Sequence, residues 1–436
     1  MHRLRRPAAG AAALVLTLAG VTACGGGSSS GTAVGPTTSP APATATDWTV
    51  RTDGAVYGSP IAVGSTVIAA TEGGTVLAVD AASGRTVWSK HLADPVPQSA
   101  LPCGNIDPLG ITGRPVYDPA SGRVFVVAET REGGEVRHRL FGLAARDGAV
   151  QVNRLLPPPK GDERVTQQRP ALLVTRGRVY VAFGGLYGDC GTYFGAIVSS
   201  RTDGTGPLDS VVPASASGKG AIWAPPGPTL TPQGNLLVAV GNGDATAEPY
   251  DGSDSVVALR PDLSIAASFH PDIWADDNRR DLDLGSSSPA VVGDHVVQIG
   301  KRGVLYVLRR TDLVTEKQLD LGSGGYGGDA VSRTDAGDTV FLPLTGGLTA
   351  VTIAADGTPT RRWSAPVKGT PVIAGPRVLA IEGRDSSVLR SYDAATGAPG
   401  PSYTVPGAFT RFAAPTVVGG RAYVGTTTGY TALTLR

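Results

Sequence analysis

From Asp47 to the C-terminus the chain alternates short runs of β-branched and apolar residues with glycine-containing polar turns. The clearest unit runs from Gly58-Ser59-Pro60-Ile61-Ala62-Val63 through Thr66-Val67-Ile68-Ala69-Ala70 and Thr75-Val76-Leu77-Ala78-Val79-Asp80. It ends at Ser83-Gly84-Arg85-Thr86-Val87-Trp88. Such runs read as strands, and the glycine turns between them as hairpin connections, so the unit predicts a meander of antiparallel strands. Related units begin near Arg114-Pro115-Val116, Arg169-Pro170-Ala171, Ser288-Pro289-Ala290, Thr370-Pro371-Val372 and Ala414-Pro415-Thr416. More degenerate ones span residues 223–259 and 328–363. The spacing, roughly 40 to 50 residues, is that of a four-stranded propeller blade.

The count predicts an all-β fold, an eight-bladed β-propeller of four-stranded antiparallel blades, in preference to a β-sandwich array. The last unit, residues 412–436, stops after its third strand, whereas Asp47-Trp48-Thr49-Val50-Arg51 looks like the Val87-Trp88 strand that ends the first unit. The N-terminal strand is therefore expected to complete the last blade, which would remove the open sheet edges of an unclosed ring.

Composition agrees. The 436 residues include 60 glycines and 34 prolines, with 41% hydrophobic and 17% charged residues, which argues against a helical, disordered or nucleic-acid-coating chain. The formal net charge of +1 becomes −2 once Arg3, Arg5 and Arg6 are set aside, leaving no basic field to attract nucleic acid. Those arginines lie in a basic start, Met1 to Arg6, followed by apolar Ala8 to Leu18 and Val21-Thr22-Ala23-Cys24. The layout is that of an export signal whose apolar run is too short to span a bilayer. Val21-Thr22-Ala23-Cys24 resembles the lipobox of bacterial lipoproteins, which implies a signal peptide over residues 1–23 and lipidation at Cys24. Residues 24–46, nearly all Gly, Ser, Thr, Ala and Pro, form a flexible linker that spaces the 47–436 body about 25 Å from the membrane. The protein is expected outside the cytoplasm, as a monomer.

The repeat, including its Ala78-Val79-Asp80-Ala81-Ala82-Ser83-Gly84 turn before Trp88, resembles the PQQ-like β-propeller repeat. That repeat occurs in quinoprotein alcohol dehydrogenases and in BamB-like outer-membrane-assembly lipoproteins. Three positions are similar to the dehydrogenase site. Trp223 in Gly220-Ala221-Ile222-Trp223 matches the tryptophan under the pyrroloquinoline quinone (PQQ) ring, Asn242 in Gly241-Asn242-Gly243 an amide ligand of calcium, and Lys301 the cation on the quinone oxygens. Asp281 in Arg280-Asp281-Leu282-Asp283 is the formal match to the catalytic base; otherwise it reads as a solvated or turn-capping carboxylate that pairs with Arg279 or Arg280.

Other positions depart. Cys103 precedes Gly104 where the dehydrogenases carry adjacent cysteines, Leu109 stands where an arginine faces the cofactor, and Cys190 replaces a calcium-ligating glutamate, so that Asp189 would serve only if its loop shifted. The resemblance places Cys103 and Cys190 together at the axial face, and in an oxidising compartment it implies a Cys103–Cys190 disulfide that would occupy the cofactor volume. Asp244, Glu248, Asp251 and Asp254 do not follow a calcium-loop spacing and read as a solvated loop. His91, His138, His270 and His295 fall in no metal or nucleophile motif. The leading expectation is a non-catalytic binding or assembly scaffold without a cofactor, with a cell-envelope protein or glycan at its axial face. The alternatives are a PQQ- and calcium-dependent dehydrogenase of alcohols or sugars, and a small-molecule sensor.

Overall fold

In a blade wedged between two others the middle strands have no solvent face, so they should be apolar on both sides rather than alternating. The computed structural model, which describes residues 46–333, 337–410 and 413–436, shows this throughout. Leu236–Val240 and Ser255–Leu259 are buried at every position, whereas the outer strand Thr86–His91 buries only Trp88. The strands form eight antiparallel sheets. Blades 1 to 7 follow chain order over residues 61–91, 116–155, 166–211, 229–269, 290–320, 330–365 and 372–404. Blade 8 combines Thr416–Val418, Arg421–Thr426 and Gly429–Thr434 with the N-terminal strand Thr46–Arg51. In blade 3 the inner strand is split into Thr166–Gln167 and Leu173–Thr175, both paired with Arg178–Gly185. The eight-bladed, N-terminally closed propeller is thus as the repeat implies, except that its first strand begins at Thr46, inside the expected linker. The signal segment, Cys24 and Phe412 lie outside the described residues.

The core is a ring of separate clusters, one at each blade interface. Ile68, Val76, Phe141 and Leu143 fill the seam of blades 1 and 2, and Trp48, Val67, Tyr423 and Tyr430 that of blades 8 and 1. Three tryptophans on outer strands fasten a blade to its successor. The indole N–H of Trp88 donates to Ala145 O at 3.0 Å, that of Trp363 to Ala394 O at 3.1 Å, and that of Trp48 to Ala81 O at 3.1 Å. Each ring lies on a turn glycine. A Cβ on Gly84, whose φ is +70°, would stand 2.6 Å from the Trp48 ring, so the motif needs glycine for both conformation and room.

Buried carboxylates also cross the seams. Glu72 Oε2 accepts the Gly110 N–H at 2.7 Å, Glu129 Oε1 that of Gln168 at 2.6 Å, and Asp254 Oδ1 that of Leu284 at 3.1 Å. Burial raises the pKa of Glu72 from 4.5 to about 8 and that of Asp254 from 3.8 to about 8, the nearby Asp283 charge adding to the second. For buried His138, desolvation favours the neutral ring, but hydrogen bonds and charges from Glu129 and Glu163 outweigh it and raise the pKa from 6.5 to about 9. All three groups hold a proton in the folded chain at pH values where the unfolded chain has lost it. Their contributions are therefore complete below the unfolded values and decline as pH rises through the folded ones. Glu163, held below 4.5 chiefly by His138 against its own desolvation, acts oppositely and only at acid pH. The melting temperature should fall continuously from about pH 6 to pH 9. Glu72→Gln should flatten that slope below about pH 8. A profile that is level or rising across this range would contradict the assignment.

Candidate axial site

In a four-stranded meander the connection of the second and third strands lies at the same end as the exit of the fourth. Both sets of loops therefore gather on one axial face. Trp223 comes from the segment joining blades 3 and 4, Lys301 from the central turn of blade 5, and Asp281 from the segment joining blades 4 and 5. They line one cavity of about 380 Å³ together with Arg169, Tyr187 and Asp189.

Asp281 is placed by an element absent from the sequence reading, the short helix Trp274–Arg280. Asp276 and Asp277 in its first turn and Arg279 and Arg280 in its last suit the helix dipole, a signal present in the sequence. The helix ends on Asp281 in the left-handed conformation, φ 55°. Arg279 and Arg280 pair with Asp276 at 3.2 and 3.4 Å, not with Asp281 as expected, because the helical turn carries them back towards its start. Asp281, largely exposed, instead meets Lys301 Nζ at 2.5 Å, and the same ammonium lies 2.8 Å from Asp283, whose side chain is fully buried. Burial alone would lower the Lys301 pKa; the Asp283 charge and hydrogen bonds from both carboxylates raise it. Burial also raises the Asp283 pKa, and Lys301 offsets part of that shift.

Lys301 Nζ is 5.9 Å from the centre of the Trp223 ring, and the Arg169 guanidinium is 5.5 Å from it while donating to Trp223 O at 3.3 Å. Arg169 supplies the cation that Leu109 does not. It stands in the repeat where Arg114 stands one blade earlier, which is the signal that could have found it. Leu109 is buried with Val96, Ile106, Val136 and Leu186.

Asn242 does not line the cavity. Its carbonyl accepts the Gly220 N–H at 2.9 Å, and the adjoining Gly243 N–H is bonded to Asn278 Oδ1 at 2.9 Å. Cys103 and Cys190 are joined by a disulfide with Cα atoms 6.2 Å apart, which removes Cys190 as a thiolate. The cavity is lined by Gly188 and Asp189, next to Cys190 in the chain, but by neither cysteine. The Asp189 carboxylate accepts the Tyr193 hydroxyl at 2.6 Å. The loop read as solvated is so only in part. Asp244 is exposed and 2.7 Å from Lys219 Nζ, but Asp251 and Asp254 are buried among serine hydroxyls and backbone N–H groups of the neighbouring segments. Among the described residues no group of three or more histidine, cysteine or acidic side chains converges to hold a metal. Calcium takes six to eight oxygen ligands; Asp281 and Asp283 are both on the Lys301 ammonium and Asp189 accepts the Tyr193 hydroxyl, so this donor set does not fit it. Among the same residues no helix is long and apolar enough to cross a membrane.

Fold and site together define an eight-bladed β-propeller with an axial cavity lined by Trp223. The family model described as outer membrane protein assembly factor BamB matches residues 41–205. Similar solved structures include BamB from Moraxella catarrhalis, at TM-score 0.61 and 16% identity, covering 90% of this chain and 97% of that one. The quinohemoprotein alcohol dehydrogenase from Comamonas testosteroni aligns at TM-score 0.65 and 17% identity, over 89% of this chain and 73% of that one. A europium-containing methanol dehydrogenase aligns at TM-score 0.62 and 15% identity, over 87% and 84%. At these identities the likeness is one of fold, and it extends to an assembly factor and to enzymes alike. No curated protein sequence matches the chain.

Proposed function

We propose that this protein is a non-catalytic binding or assembly scaffold of the cell envelope, tethered through a lipid on Cys24 and presenting its axial loops to a protein or glycan partner. The observation that carries this reading is the Lys301 ion-pair cluster. The cation that a quinone would need is already held by Asp281 and Asp283, and neither carboxylate is left to serve as base or metal ligand. Further support comes from extent: the alignment takes in 97% of the BamB chain but 73% of the quinohemoprotein dehydrogenase chain. A propeller offers loops from every blade around one mouth, a rigid frame for recognition.

The test is reconstitution of the purified full-length protein with calcium and PQQ. No saturable quinone binding is expected up to about 10 μM, and no dye-linked alcohol oxidation. Micromolar binding with oxidation abolished by Asp281→Asn would replace the scaffold by a dehydrogenase. In the same preparations the wild type should partition into detergent and Cys24→Ala into the aqueous phase; equal partitioning would remove the lipid tether.

A further inference from the structure

Adjoining the cavity lined by Trp223, and sharing Arg169 and Pro225 with it, is a second cavity of about 420 Å³ on the propeller axis. Its wall is built from the segments that lead into the inner strands of seven blades, largely prolines, glycines and small aliphatic or hydroxyl side chains. The volume lies within the usual range of small-molecule sites, roughly 300–1,000 Å³.

Three ionisable side chains line it: Arg114, Arg169 and Asp329. The surface of Arg114 is accessible from the cavity, although enclosure by protein is enough to lower the pKa of its guanidinium. Among the described residues no hydrogen bond or ion pair engages that guanidinium. The contrast with other enclosed cations is sharp. Lys301 has two carboxylates, and Arg302 has Asp276 and Asp277. The remaining acid of the wall does not compensate Arg114. Both Asp329 oxygens are shut off from solvent and lack a hydrogen-bond partner, and burial holds the carboxyl well above its ordinary pKa. Asp329 thus keeps its carboxyl oxygens behind the wall, where burial disfavours the charged form. The accessible charge of the cavity is positive.

We infer that this axial cavity is a binding site for a small organic anion, whose carboxylate or phosphate group is held by the fork of Arg114 and drawn in by Arg169. A guanidinium offers planar paired donors that match either group, and in an enclosed space such charge-assisted bonds are about twice as strong as neutral ones. The site adjoins the Trp223 cavity through Arg169 and Pro225, and it is independent of whether the axial face serves a partner.

Calorimetric titration of the full-length protein with citrate and with inorganic phosphate, at constant ionic strength, tests it. At least one probe should saturate a single site per chain, and which one does so tells carboxylate from phosphate recognition. Arg114→Gln should weaken that binding at least roughly tenfold, and Arg114→Lys by less, because it keeps the charge and loses the fork. Asp329→Asn should leave affinity within about twofold, since its carboxyl oxygens are closed off from the cavity and burial disfavours their charge. Failure of both probes to saturate the wild type, wild-type affinity in a folded Arg114→Gln protein, or loss of binding in Asp329→Asn would each overturn the assignment.

Discussion

Replacement of Lys301 by methionine should destabilise the protein by about 3–5 kcal/mol, because it strands a buried charge. The methionine fills most of the volume, so the loss is electrostatic in origin. Asp283 is fully buried, and its ammonium partner at 2.8 Å is what makes an ionised carboxylate tolerable there. With Lys301 gone, Asp283 must take up a proton or remain uncompensated. A second change, Asp283→Asn, should therefore restore a large part of the loss. The other partner behaves differently. Asp281 is two-thirds exposed, so Asp281→Asn should cost no more than about 1 kcal/mol. Urea unfolding of the four proteins measures all of this. A Lys301→Met midpoint equal to the wild type would show that the pair is not what holds this corner of the site, and would return Lys301 to the pool of residues available to a ligand.

Trp48→Ala is expected to cost a comparable amount, about 3–5 kcal/mol, with a second effect that its equivalents lack. The residue packs on Tyr423 and Tyr430, rests on Gly84 and donates to Ala81 O, so truncation opens a hole at the seam of blades 8 and 1. Trp88→Ala removes the corresponding hydrogen bond to Ala145 O and the contact with Gly148 between blades 1 and 2, but its strand is joined covalently to the rest of its own blade. The chain also crosses the Trp48 seam, from Arg51 to Ile61, but within blade 8 the strand Thr46–Arg51 is held to Gly429–Thr434 by non-covalent pairing alone. Loss of the indole should release Thr46–Arg51 and bare the edge of Gly429–Thr434, a surface prone to pairing with another chain. Limited proteolysis should cut the Trp48→Ala protein within its first strand while leaving that strand intact in Trp88→Ala. Identical digestion patterns would show that ring closure does not depend on this contact.

The architecture was legible because it is written eight times. Each copy repeats the strand lengths, the turn glycines and, in three cases, the tryptophan with its partner turn, so errors in any one unit are corrected by the others. The site lacks that redundancy. Trp223, Lys301 and Asp281 were found by resemblance, and they do come together, but their partners follow from one helix that occurs once. That helix sends Arg279 and Arg280 to Asp276 and frees Asp281 for Lys301. The burial of Asp251 and Asp254 likewise comes from the packing of neighbouring segments, and nothing in the local run of acidic residues distinguishes it from a solvated loop. Arg169 was missed although a signal existed: it opens its repeat unit as Arg114 opens the one before, and the structure places both on the wall of the same cavity.

The pairing of Thr46–Arg51 with Gly429–Thr434 also sets an order of events during synthesis. The strand that shuts the ring leaves the ribosome before any blade exists; its mate follows only after the seven other blades. Completion of the fold is therefore tied to synthesis of the last blade, and until then the growing arc has one edge unpaired. A chain cut short near its end would keep its early blades and never close.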